Sequence, residues 1–113
     1  MLNEVYRIYV GHKTGEAYKK ATGLSYEFTY AQVHKVIKDL ANKHEVLGYT
    51  LINAKGVYEG RGEKTTIIEI VRPVELGNEG VYALVKELRK ELHQDEILLT
   101  QRFMTAISFK EGE

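Results

Sequence analysis

The chain has 113 residues, of which 43% are hydrophobic and 28% charged, so a single folded domain over 1–113 is expected and disorder is excluded. Sixteen basic and sixteen acidic side chains cancel, which excludes a dedicated nucleic-acid binder or a polybasic membrane-surface protein. No cysteine is present, so a disulfide framework, a thiol nucleophile and a thiolate zinc site are excluded too. No apolar run approaches the roughly 20 residues of a membrane span. The opening Met1-Leu2-Asn3-Glu4 is not a signal peptide, and a cytoplasmic location is expected.

The first predicted strand covers 4–10 and is rich in Val, Ile and Tyr. Its alternation puts Tyr6, Ile8 and Val10 on one face and Val5, Arg7 and Tyr9 on the other. A polar stretch follows over 11–27, punctuated by Gly11, Gly15 and Gly23, and reads as a long loop.

Thr29 with Gln32 three residues later spells a capping box, and Phe28 and Val33 occupy the two staple positions. Val33, Val36, Ile37, Leu40 and Ala41 then form one helical stripe. Lys43 and His44 suit the negative end of the helix dipole, and Gly48 lies just beyond.

The second and third strands are predicted over 49–58 and 64–72, with the glycine-rich tip 59–63 as their hairpin turn. Asn78 is placed to cap a second helix with the stripe Val81, Leu84, Val85, Leu88 and Leu92. A last strand is expected over 96–109, broken or bulged near Thr100-Gln101. The order βαββαβ predicts the α+β ferredoxin-like sandwich, a four-stranded antiparallel sheet with two helices on one face.

In that architecture the second sheet face should be polar in a monomer. Here Val5, Tyr9, Leu51, Ile67 and Val71 are assigned to it, and Phe103, Ile107 and Phe109 alternate with Met104 and Ala106 in the last strand. An apolar patch of that extent points to a homo-oligomer built sheet to sheet, or to a face covered by 11–27 or by the C-terminal tail.

Candidate chemistry gathers on glycine-rich segments. Gly56, Gly60 and Gly62 are interleaved with Lys55, Tyr58, Arg61 and Lys64, which reads first as a plain hairpin with solvated charges and otherwise as a loop that clasps an anion. His12 and Lys13 follow the first strand where the chain leaves the sheet. Together with Arg102 of the last strand, the residues His12, Lys13, Lys55, Tyr58 and Arg61 form the predicted ligand-binding set. Lys and Arg would neutralise ligand charge and Tyr58 would stack or hydrogen-bond. The four histidines show no metal-ligand spacing, no serine sits in a nucleophile elbow, and no catalytic or metal residues are assigned. Arg7-Ile8-Tyr9-Val10-Gly11 looks like the RNA-contact motif of an RRM, but 64–71 lacks the base-stacking aromatics and RNA binding is rejected.

Leu47-Gly48-Tyr49-Thr50-Leu51-Ile52-Asn53-Ala54-Lys55-Gly56 resembles the second strand of PII-type signalling proteins. In that family a glycine, a hydrophobic residue and a threonine open the strand, and a basic residue and a glycine lead into the nucleotide-sensing loop. Lys55 and Gly56 fall on that pattern. The resemblance implies the PII-like or CutA-like fold and a trimer with inward-facing sheets, a dimer being the other choice. After Gly56 the chain departs from the family with Val57-Tyr58-Glu59, and Gln94-Asp95-Glu96 stands where a glycine-rich phosphate loop is expected, so the resemblance does not carry over ATP binding. The opening Tyr6-Arg7-Ile8-Tyr9-Val10-Gly11 also resembles that of small bacterial and phage proteins, which implies no activity.

The function expected from the sequence is an oligomeric module that binds a small anionic metabolite or nucleotide between subunits, to sense or sequester it. A ferredoxin-like enzyme of the monooxygenase type and a ligand-free structural protein of phage or accessory type are the alternatives. No cofactor is assigned.

Overall fold

The computed structural model describes residues 2–112; Met1 and Glu113 lie outside the described residues. Four strands form one antiparallel sheet in the order β2-β3-β1-β4, with β1 at Leu2–Gly11, β2 at Thr50–Tyr58, β3 at Arg61–Pro73 and β4 at Leu98–Thr105. The helices are α1 at Glu16–Thr22, α2 at Tyr30–Lys43 and α3 at Glu79–Glu91, with one 3-10 turn at Val74–Leu76. This is the predicted ferredoxin-like arrangement with one helix added.

The core forms because the sheet and the two longer helices each carry one apolar face. Tyr6, Ile8, Val10, Ile68 and Ile70 of the sheet meet Val33, Ile37, Leu40 and Ala41 of α2 and Val81, Leu84 and Leu88 of α3. Each such large side chain contributes about 1.5–3 kcal/mol on full burial. The capping box is present in full. Thr29 Oγ1 accepts from the Gln32 amide at 3.1 Å and Gln32 Oε1 accepts from the Thr29 amide at 2.9 Å. Phe28 packs against the core, as a staple residue should.

Several expectations need correction. The 11–27 segment is not a plain loop, because α1 occupies its middle. Helix α2 ends at Lys43 with His44 as its C-cap, and the chain turns away at Glu45, whose φ is 58°. Asn78 stands at the N-terminus of α3 but makes no side-chain capping bond. The β2–β3 turn is tighter than predicted. Tyr58 pairs with Arg61, so only Glu59 and Gly60 lie between, both with positive φ (51° and 77°). That is the backbone of a type I′ turn, whose twist matches the strands it joins. Strand β4 is neither broken nor bulged at Thr100-Gln101, and it ends at Thr105, leaving Ile107 and Phe109 exposed beyond the sheet.

Candidate functional site: the open face of the sheet

Directly opposed residues in an antiparallel sheet point to the same side, so the pairing register assigns every side chain to a face. The face away from α2 and α3 carries three central rungs. Val5 stands between Val71 and Arg102; Arg7 stands between Glu69 and Thr100; Tyr9 stands between Ile67 and Leu98. Strand β2 extends two of these rungs, with Thr50 beside Glu69 and Ile52 beside Ile67. Leu51 does not belong here. It pairs with Ile68, looks toward the helices and packs against the core, while Ile52 takes the outward place.

The 11–27 segment does not cover this face. It is tied to the far side of the molecule, where the Gly15 amide bonds the His93 carbonyl at 2.7 Å and the Glu16 and Ala17 amides bond the Asp95 carboxylate. The face therefore presents Val71 (47% exposed), Ile52 (40%) and Leu98 (55%) to its surroundings.

At its centre is an ion pair. Arg7 Nε donates to Glu69 Oε2 at 2.9 Å. The contact with Glu69 holds the guanidinium above its ordinary pKa, so it stays charged. The second oxygen of Glu69 and the terminal nitrogens of Arg7 lie outside this contact. Beside the pair, Val5, Arg7, Tyr9, Thr100 and Arg102 line a depression of about 180 Å³. A carboxylate and a guanidinium side by side, with Thr100 and Arg102 next to them, can hold a small zwitterionic or cationic ligand, and each charge would be strengthened where another surface excludes water from this face.

The six residues selected from sequence fall into three places. Arg102 lines the depression. Tyr58 and Arg61 oppose one another on the same open face but at the hairpin tip, ten residues along β3 from Val71. At 3.3 Å per residue that is about 33 Å from the Arg102 rung. Lys55 pairs with Lys64 on the helix side of the hairpin. The Lys13 amide donates to Glu63 Oε1 at 3.2 Å, so its backbone sits beside the root of that hairpin.

His12 is fully buried. Its Nδ1 lies 2.9 Å from the Phe28 carbonyl, its Nε2 lies 2.8 Å from Thr66 Oγ1, and its ring meets Tyr30 edge to face at 4.6 Å. Both ring nitrogens are thus engaged within the core. Burial lowers its pKa, with Lys64 and His34 adding to the shift and the Phe28 carbonyl and Glu63 opposing it. Sequence reasoning missed Glu69 and Arg7 as a pair. The signal was present, since a lone Glu interrupts the apolar run 67–71, but its partner is 62 residues away. Among the described residues no cluster of His, Asp and Glu could hold a metal, and no helix is long and apolar enough to cross a membrane.

No family model matches the chain, and no curated protein matches it. Among solved structures, a phage SAM lyase in its apo state superposes with TM-score 0.65 at 22% identity, covering 95% of this chain and 92% of the lyase. The lyase in complex with S-methyl-5′-thioadenosine gives 0.63 at 21% identity, covering 96% and 93%. A DUF3240 family protein from Shewanella baltica gives 0.53 at 14% identity, covering 97% of each chain. A nitrogen regulatory PII-like protein from Thiomonas intermedia gives 0.47 at 15% identity, covering 96% and 98%. At these identities the likeness to the lyase and to the DUF3240 protein is one of fold, the four-stranded α+β arrangement described above.

Proposed function

We infer that the chain is a small-ligand-binding protein that assembles through its open sheet face and takes S-adenosylmethionine between copies, releasing S-methyl-5′-thioadenosine. The observation that carries this reading is the Arg7–Glu69 pair at the centre of the open face, with Thr100 and Arg102 beside it and Val5, Val71, Ile67, Ile52 and Leu98 around it. The ligand carries a positive sulfonium, which the second oxygen of Glu69 suits, and an amino-acid carboxylate, which the guanidinium of Arg7, held between Glu69 and Tyr9, suits. As the bond between sulfur and the γ-carbon of the amino-acid chain breaks, the electron pair goes to sulfur and the ligand's own carboxylate oxygen bonds to that carbon, so the products are S-methyl-5′-thioadenosine and the five-membered lactone of the amino-acid chain. Charge is lost from the sulfonium in that step, so a water-poor setting favours it. Neither metal nor redox cofactor is required by this balance. The fold shared with the phage SAM lyase supports the reading.

Assembly gives the remaining predicted residues a role. Within one subunit Tyr58 and Arg61 are too far from Arg102 to share a ligand, whereas the hairpin of one copy can reach the open face of the next. A trimer is the arrangement proposed, with Tyr58 supplying a ring for the adenine and Arg61 and Lys55 fastening the hairpin to its neighbour. His12 and Lys13 position the root of that hairpin.

Incubating the purified protein with S-adenosylmethionine and separating the products tests this. Accumulation of S-methyl-5′-thioadenosine that Glu69→Gln abolishes is the expected result. Calorimetric binding of S-methyl-5′-thioadenosine without turnover would instead support a non-catalytic sensor or sequestering module. Neither binding nor turnover would overturn the reading.

A further inference from the structure

The molecule has a second concave surface, remote from the open face and independent of the function proposed for it. Helix α1 docks against the C-terminal end of α3, and the open groove between them offers about 560 Å³. That lies within the range of small-molecule sites, about 300–1,000 Å³. Its walls are unlike each other. Ala17 and Ala21, one turn apart on α1, leave one wall shallow. Tyr18 and His93 form an aromatic corner, their rings edge to face at 4.0 Å. Arg89 and Lys90, in the last turn of α3, supply positive charge. Among the described residues neither cation forms an ion pair.

The groove is held open by specific bonds. Gly15 lies so close to Asp95 that a Cβ there would meet its carboxyl group, and only glycine permits this approach. Asp95 then spends both carboxylate oxygens on the Glu16 and Ala17 amides, at 2.9 and 3.2 Å. The acidic residue of the groove is thereby fixed on the backbone of α1, and two cations stand in the lining against one carboxylate.

We propose that this groove is a binding site for a planar heteroaromatic ring bearing a phosphate, the chemistry of a nucleoside monophosphate. The ring lies against the Tyr18–His93 corner, over the space that the alanines leave. The phosphate reaches Arg89 and Lys90, of which Arg89 can engage it with two parallel donors. An uncharged nucleoside lacks the second interaction and free phosphate lacks the first, so each alone binds more weakly.

Titration of the full-length protein with adenosine 5′-monophosphate, followed by NMR, tests the site, with adenosine and inorganic phosphate as comparison probes. The nucleotide is expected to shift the Tyr18 and His93 ring signals. Arg89→Ala is expected to weaken it about tenfold, as loss of a charge-assisted hydrogen bond does. Tyr18→Leu should weaken adenosine and nucleotide alike, with the Glu16 and Ala17 amide signals reporting that α1 remains docked; if it undocks, Arg89→Ala alone decides. Open-face variants such as Glu69→Gln should leave this binding unchanged, so its failure and that of the open-face reading are distinguishable. Absence of ring shifts, affinity for the nucleotide unaffected by Arg89→Ala, or equal affinity for nucleotide and phosphate would overturn the proposal.

Discussion

Arg7 and Glu69 sit directly opposite one another on β1 and β3 and share a 2.9 Å contact on the side of the sheet that no helix covers. An exposed pair of this kind contributes about 0–1 kcal/mol. Covered by other subunits it becomes a buried pair, and removing one partner then costs about 3–5 kcal/mol. Arg7→Ala is expected to show the larger loss in denaturant unfolding, and the loss should grow with protein concentration, as it does when unfolding is linked to assembly. A loss under about 1 kcal/mol at every concentration would mean that the face stays open.

Ile67 stands between Tyr9 and Ile52 at the middle of the same face. Ile67→Asp places an unpaired charge where another copy would rest, while leaving the helix-facing side untouched. Light scattering should report an oligomer for the parent chain and the 12.9 kDa monomer for the variant. A parent chain already at 12.9 kDa would remove the basis for sites between subunits.

Burial of His12 has a pH signature. Its folded pKa lies below the ordinary 6.5. The unfolded chain therefore binds the proton first, and stability falls as pH drops from 6.5 toward the folded value. Glu87 is also shifted, downward from 4.5 by its bonds to Lys43 and His44, and its stabilisation is lost only at more acid pH. His12→Gln should lower stability near neutrality, because the Phe28 and Thr66 partners lose their fitted ring, and should flatten the slope just below 6.5. Urea unfolding between those two limits measures both; an unchanged slope would assign it to another group.

Thr29→Ala removes the side-chain half of the capping box and should cost about 1 kcal/mol. Thermal unfolding by circular dichroism measures it. Gln32→Ala tests the reciprocal half, and a double variant that costs no more than one single change would show that the two bonds act as a unit.

Asp95→Ala frees the Glu16 and Ala17 amides and removes the anchor of α1. None of the residues of α1 is buried, so its loss should leave the core intact. Hydrogen exchange at those two amides is expected to quicken sharply while that of Ile8 and Ile68 is unchanged. Equal protection in the variant would assign the docking of α1 to the Tyr18–His93 contact instead.

The contrast between α2 and α1 explains which parts of the fold were legible in the sequence. Helix α2 carries a capping box and an apolar stripe, both local signals with a fixed spacing. Helix α1 has seven residues, buries none of them, and is held by Asp95 almost eighty positions away. Its Ala, Glu and Lys residues favour a helix, but 16–22 has no apolar stripe to say that it docks on the fold. The same division runs through the sheet. The faces of β1 followed from simple alternation, because Tyr6 and Ile8 are separated by a charged residue. In β2 the run Leu51-Ile52 offers two equally apolar choices, and only pairing with Ile68 and Ile67 selects between them. His12 illustrates the limit for sites: a histidine at a strand end reads as available until Phe28 and Thr66 close around it.

The two-residue turn at Glu59-Gly60 also constrains how this chain can change length. Because side chains alternate strictly along β2 and β3, one residue added to each arm would carry the tip to the opposite side of the ribbon. Tyr58 and Arg61 would exchange sides with Val57 and Gly62, and the hairpin would offer a valine and a glycine to whatever it now meets. Lineages that lengthen this arm are therefore expected to do so by an even number of residues per strand, or to absorb the odd one in a bulge.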